Sequence, residues 1–166
     1  MSQRMTALKW LGWEHMELPP ELVAEVSEAD NMAYAKAIMV CAAGDGEISP
    51  AEREWIVGYL TVARDPDGVV ELMRTYDGGD DIGELIAGSP LMLLTGRSML
   101  FDALRACASD GDLSSGERDR VHAAADRLGV PRDVVAEFEQ ILQAEETLRK
   151  RKHQLLVAEP MAAVRG

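Results

Sequence analysis

Two short stretches carry most of the residues that could do chemistry. DGEISPAE (45–52) and DGDLSSGE (110–117) each place an acid and a glycine ahead of an apolar residue, a serine and a closing glutamate. The pattern D-G-x-[IL]-S-x-x-E is how the second half of an EF-hand calcium loop reads. With Asp45 at the fifth loop position and Glu52 at the twelfth, the first and third positions fall on Cys41 and Ala43. In the second copy they fall on Ala106 and Ala108. Calcium takes six to eight oxygens, and what is left supplies at most about five, so an EF-hand is excluded. Helix initiation accounts for the same residues. Ser49 with Glu52, and Ser114 with Glu117, have capping-box spacing. Pro50 suits a first helical position, Gly46 and Gly111 suit a positive-φ turn, and Ile48 and Leu113 suit hydrophobic staples.

Other reactive residues are sparse. His15, His122 and His153 form no HExxH or ExxH spacing. Asp119, His122 and Asp126 share a helix face, which reads as a solvated polar face; the alternative is an enzyme, or a proton- or metal-dependent catalyst, that uses His122 and the acidic turns. Cys41 and Cys107 lack CxxC spacing and sit in apolar, Ala-rich runs, as buried reduced thiols do. Neither a Walker nor a GxGxxG pattern occurs, and DGGDD (77–81) would repel phosphate. The expectation is a protein without catalytic residues.

The elements that must position these residues are helices. Apolar residues make up 47% of the 166 and aromatics only 5%, the bulk being Ala, Leu, Val and Met. That composition implies an all-α fold, and the length suffices for one core without disulfide or metal. Acids outnumber bases 29 to 17, for a formal net charge of -12, which argues against nucleic acid as a partner. No segment approaches the roughly 20 apolar residues of a membrane span, so a cytoplasmic protein is expected.

Punctuation and periodicity predict an N-terminal arm over 1–20 with Trp10 and Trp13 as packing anchors, a helical domain over 21–157 and a tail over 158–166. Helices are predicted near Glu21–Val26, Ala29–Ala42, Pro50–Ala63, Pro66–Tyr76 and 81–87, then from Pro90 through a nearly all-apolar segment that reads as a fully buried central helix. Two more follow, one to about Leu128 with Gly129 as its cap and a long one from Pro131 to about Leu156. The register that carries Asp45 onto Asp110 also carries Arg53 onto Arg118, Pro66 onto Pro131 and Val69-Val70 onto Val134-Val135. Two copies of one helical unit follow, expected to pack about a pseudo-two-fold axis with equivalent DG turns.

This pattern, above all FDALRACASDGDLSSGERDRVHAAADRLGV, resembles the TerB-like family, the tellurite-resistance domain also found at the N-terminus of DjlA-type co-chaperones. The resemblance spans roughly residues 29–156. It implies a bundle of seven to eight helices, a non-enzymatic binding or scaffold role in stress response, and peripheral association with membrane-linked complexes. It also implies divalent-cation binding (calcium, magnesium or zinc) through acidic turns, which here means Asp45, Glu47, Glu52, Asp110, Asp112 and Glu117. If the turns converge, these carboxylates repel unless a cation, or Arg53 and Arg118, compensates them. The arm and DGGDD depart from the family pattern.

After Leu142 the last helix reads QAEETLRKRKHQLL, its charge reversing while Leu148, Leu155 and Leu156 continue. Glu145 precedes Arg149, and Glu146 precedes Lys150, by one turn. A solvated helix end fits this. So does a helix that self-associates, meets a protein partner or rests on an anionic membrane.

Overall fold

The computed structural model describes residues 26–63 and 67–157. The arm (1–20), all but Val26 of the first expected helix, and the tail (158–166) lie outside the described residues. Among the described residues there are seven α-helices and no strand: α1 (Glu28–Ala42), α2 (Pro50–Ala63), α3 (Asp67–Met73), α4 (Ile82–Ala87), α5 (Pro90–Cys107), α6 (Ser115–Leu128) and α7 (Arg132–Val157). No helix among them is long and apolar enough to cross a membrane.

Helix boundaries follow the capping chemistry. Ser27 caps α1, its Oγ accepting from the Asp30 N–H, and Asp81 caps α4 by accepting from the Glu84 N–H. Ser49 and Ser114 both form complete capping boxes: each hydroxyl accepts from the glutamate N–H at 3.2 Å. In return the Ser49 N–H donates to Glu52 at 2.7 Å and the Ser114 N–H to Glu117 at 2.6 Å. Gly129, at φ 67°, closes α6. The third helix is shorter than expected. Arg53 donates from Nη1 to the Met73 and Tyr76 carbonyls, both at 2.8 Å, which satisfies them as a turn instead of a further helical turn.

The centre of the bundle is α1, not α5. From Tyr34 to Ala42 every residue of α1 except Lys36 is fully buried, and α1 touches α2, α3, α4, α5 and α6. Lys36 lets its ammonium escape over the Tyr76 ring to Asp80 at 2.7 Å. Helix α5 is half-exposed instead of fully buried, with Leu93 and Leu94 in solvent and the burial concentrated from Met99 onward. The Ala-rich run of α1 allows neighbours to approach on every side, whereas Arg97 and its surroundings keep one face of α5 in water. Buried Asp102 on α5 accepts hydroxyl protons from Tyr34 at 2.8 Å and Tyr59 at 2.7 Å, tying α1, α2 and α5 together.

The two DG turns pack against each other's helices. Helix α1 runs into a 3-10 turn at Ala43–Asp45 that lies on the start of α6, and α5 runs into a 3-10 turn at Ala108–Asp110 that lies against α2. The backbone approach leaves no room for a side chain. A Cβ on Gly44 would stand 2.5 Å from Glu117 Cα and N, and one on Gly116 would stand 2.4 Å from the Gly44 carbonyl oxygen. Gly58, by contrast, faces open space in the interior of α2.

Gly44→Ala and Gly116→Ala are therefore each expected to destabilise the fold by about 3 kcal/mol or more, because the clash is with backbone. Gly58→Ala should stabilise by about 0.5–1 kcal/mol by removing helix-interior glycine. Chemical denaturation of the three variants checks both signs; a neutral Gly116→Ala would contradict the close approach.

Candidate functional site

The contact between the turns decides where the acids go. Of the six carboxylates on the two turns, Glu52 and Glu117 come together and the other four stand apart. Asp45 and Asp110 are exposed and accept from backbone N–H groups two residues on, those of Glu47 and Asp112 respectively. Asp112 accepts from the Leu113 N–H, and Glu47 is exposed. These are turn-forming roles. Glu52 and Glu117 behave differently, because their reach back to the cap points them inward, between the packed turns. They are 2% and 5% exposed.

There the two glutamates meet Cys107, the last residue of α5. One carboxylate oxygen from each and the sulfur all lie within 4.8 Å of one another. Glu52 and Glu117 each use Oε2 on their own cap. The other oxygen of Glu52, Oε1, is buried with no hydrogen-bond partner. Neither matching arginine compensates the pair: Arg53 turns to the carbonyls that close α3, and Arg118 holds Glu139 on α7 at 3.1 Å. Two buried carboxylates in contact with no donor between them cannot both ionise cheaply.

The electrostatics register this. Burial first, then the facing Glu117 carboxyl, push Glu52 up to about 8, partly offset by its bonds to Ser49. Burial also raises the Cys41 thiol to about 12, Arg120 pulling slightly the other way. Cys107 is raised as well, by burial and then by Cys41, Glu117 and Glu52. Both cysteines are free thiols. Burial and the facing carboxyl therefore favour a proton on Glu52 at neutral pH, beside a neutral thiol. One oxygen of each carboxyl and the sulfur are the atoms that could hold a cation here, and its binding would displace protons.

Cys107 is the member that sequence reasoning misses. Its apolar surroundings read as inert core, and nothing local marks its neighbour ten residues on until the turn folds Glu117 back beneath it. His122, five residues beyond Glu117 and about 140° around α6, does not join the trio. Its Nδ1 is buried without a partner, and Asp126 on the same face pairs with Arg132 at 2.8 Å.

The sign of the pH dependence follows from Glu52. Its folded-state value lies above the ordinary 4.5, so the stability it contributes is complete below that value and is lost as pH rises through about 8. Chelator-treated protein is expected to lose thermal stability across this window. Glu52→Gln, whose amide donates to Glu117, should flatten the curve and be the more stable protein at pH 8. Parallel melting curves for the two proteins would contradict a proton held on Glu52 in the folded state.

No protein-family model matches the chain, and no curated protein matches it. Among solved structures, a tellurite resistance protein from Nostoc punctiforme is similar over 96% of this chain and 98% of its own, at 28% identity and a TM-score of 0.79. The fold is therefore TerB-like, as the duplicated turn pattern implies.

Proposed function

We propose that this chain is a non-enzymatic binding domain of the tellurite-resistance TerB kind, whose cation site is the buried trio Glu52, Cys107 and Glu117. The observation that carries the reading is Glu52 Oε1, a buried acceptor without a donor, facing a second carboxyl and a sulfur. Two carboxylates and a sulfur suit zinc better than calcium or magnesium, which take oxygens. The exposed acids Asp45, Glu47, Asp110 and Asp112 shape the turns and lie outside the site.

Two further features support the reading. The trio is closed from solvent, Cys107 being fully buried, so a cation or proton can reach it through breathing of the turns but a substrate cannot be turned over there. The two helical units also bring matching glutamates to one place, which favours the pseudo-two-fold arrangement as part of this proposal. A cation here would bind α2, α5 and α6 together, so that the packing of these helices would depend on the metal or proton available. Stress-responsive scaffolding, with no bond made or broken, is the role this coupling serves.

Zinc titrated into chelator-stripped protein is expected to raise the melting temperature by roughly 5–10 °C at a hundredfold excess over Kd, the shift that about 2.7 kcal/mol of linkage gives a chain of this size. Cys107→Ser and Glu52→Gln should lose most of it, while a variant with Asp45, Glu47, Asp110 and Asp112 all neutralised should keep it. Loss in that surface variant would return the site to the exposed turns. No shift with zinc, calcium or magnesium at millimolar concentration would end the cation reading.

A further inference from the structure

We infer that the cation site proposed above keeps one coordination position open, the one that Ala42 faces, where the metal takes a small donor from outside the chain in place of a fourth side chain. The inference rests on that reading of Glu52, Cys107 and Glu117 and adds to it which place in the shell the protein leaves unfilled.

The two halves meet in the same way from both sides. The register that carries Glu52 onto Glu117 carries Ala42 onto Cys107. Ala42 is the last residue of α1, and Cys107 is the last of α5. The next N–H corresponds too, that of Ala43 donating to the Met39 carbonyl and that of Ala108 to the Leu104 carbonyl. Each helix then enters a 3-10 turn that ends on a glycine of positive φ, 112° at Gly46 and 102° at Gly111. Contacts are exchanged, the turn after α1 lying on α6 and the turn after α5 lying on α2.

A two-fold relation between the halves produces such an exchange. The Cys107 sulfur stands within 4.8 Å of a carboxylate oxygen of both Glu52 and Glu117. The same relation maps each glutamate onto the other, so the Ala42 side chain faces both from the opposite half. Ala42 and Cys107 are both fully buried, and they differ by one sulfur atom. Cys41 does not fill the gap, because it corresponds to Ala106 and stands outside the trio. Among the described residues no histidine, further carboxylate or second thiol joins Glu52, Cys107 and Glu117.

A structural zinc site is closed by four protein ligands, whereas a shell of three keeps a place for water or another outside donor. The methyl group of Ala42 cannot ligate. What stands in for the missing sulfur is of similar size, a water molecule or a monodentate anion of few atoms. A fourth thiolate would hold the metal more tightly, and without one the site gives up its ion more readily.

Cobalt(II), which binds the same ligands as zinc and whose visible absorption depends on their number and kind, reads the shell directly. In chelator-stripped full chain kept reduced, cobalt should show the charge-transfer absorption of a single thiolate, and azide should change its visible bands. Ala42→Cys should add a second thiolate to that spectrum, abolish the azide response and tighten zinc binding by roughly tenfold or more, since even partners outside the shell are worth that much. Ala42→Cys combined with Cys107→Ala moves the sulfur to the other half and should restore the binding that Cys107→Ala alone loses. Azide is read on the unaltered sequence, so the test stands even where a cysteine at position 42 disturbs packing. A cobalt spectrum of the unaltered chain that ignores azide overturns the inference, and so does a folded Ala42→Cys protein that shows one thiolate only. Neither result touches the cation reading, which fails instead if the unaltered chain takes up neither cobalt nor zinc, and the open position then fails with it.

Discussion

The closeness of two backbones governs this protein. Where Gly44 passes Gly116 there is no space for a methyl group, and the contact fixes the first DG turn on the start of α6. A capping-box glutamate must reach back toward its own cap, so each such glutamate near the contact is turned into the gap. In an isolated helix that side chain would sit in water and contribute about 1 kcal/mol by satisfying a free N–H. Here the same local device, used twice and packed against itself, puts two carboxyls into one dry space.

The consequence is an electrostatic debt that the local sequence does not settle. The residues that would normally settle it, Arg53 and Arg118, follow each glutamate directly but lie around the helix from it, and they serve α3 and α7 instead. What remains beside the carboxyls is a thiol whose own ionisation is suppressed. A proton on Glu52 relieves the repulsion. Because the trio sits where α2, α5 and α6 meet, its protonation bears on the packing of those three helices.

Much of this was legible in the sequence. The helix starts at Pro50, Pro90 and after Ser114, the glycine reversals at Gly46, Gly111 and Gly129, and both capping boxes follow from short-range chemistry and stand as expected. The duplicated pattern pointed to the TerB-like fold. Three things were not legible, each depending on distant contacts. Apolar character alone nominated α5 as the central helix, yet small side chains on α1 let more neighbours crowd round it. The six acids of the two turns look alike in sequence, and exposed turn acids differ from inward-facing cap acids only once the turns are packed. Cys107 looked like filler because its partners arrive from other helices.

The central claim is that Glu52, buried against a second carboxyl, holds a proton at neutral pH. Carbon-13 NMR of the glutamate side-chain carboxyls, followed against pH in chelator-stripped protein, addresses it directly. One buried carboxyl, absent from the Glu52→Gln spectrum, should remain protonated at neutral pH and titrate near 8, and added zinc should drive it to the ionised position at constant pH. Every glutamate titrating in the ordinary carboxylate range, with no resonance displaced by that substitution, would contradict the account.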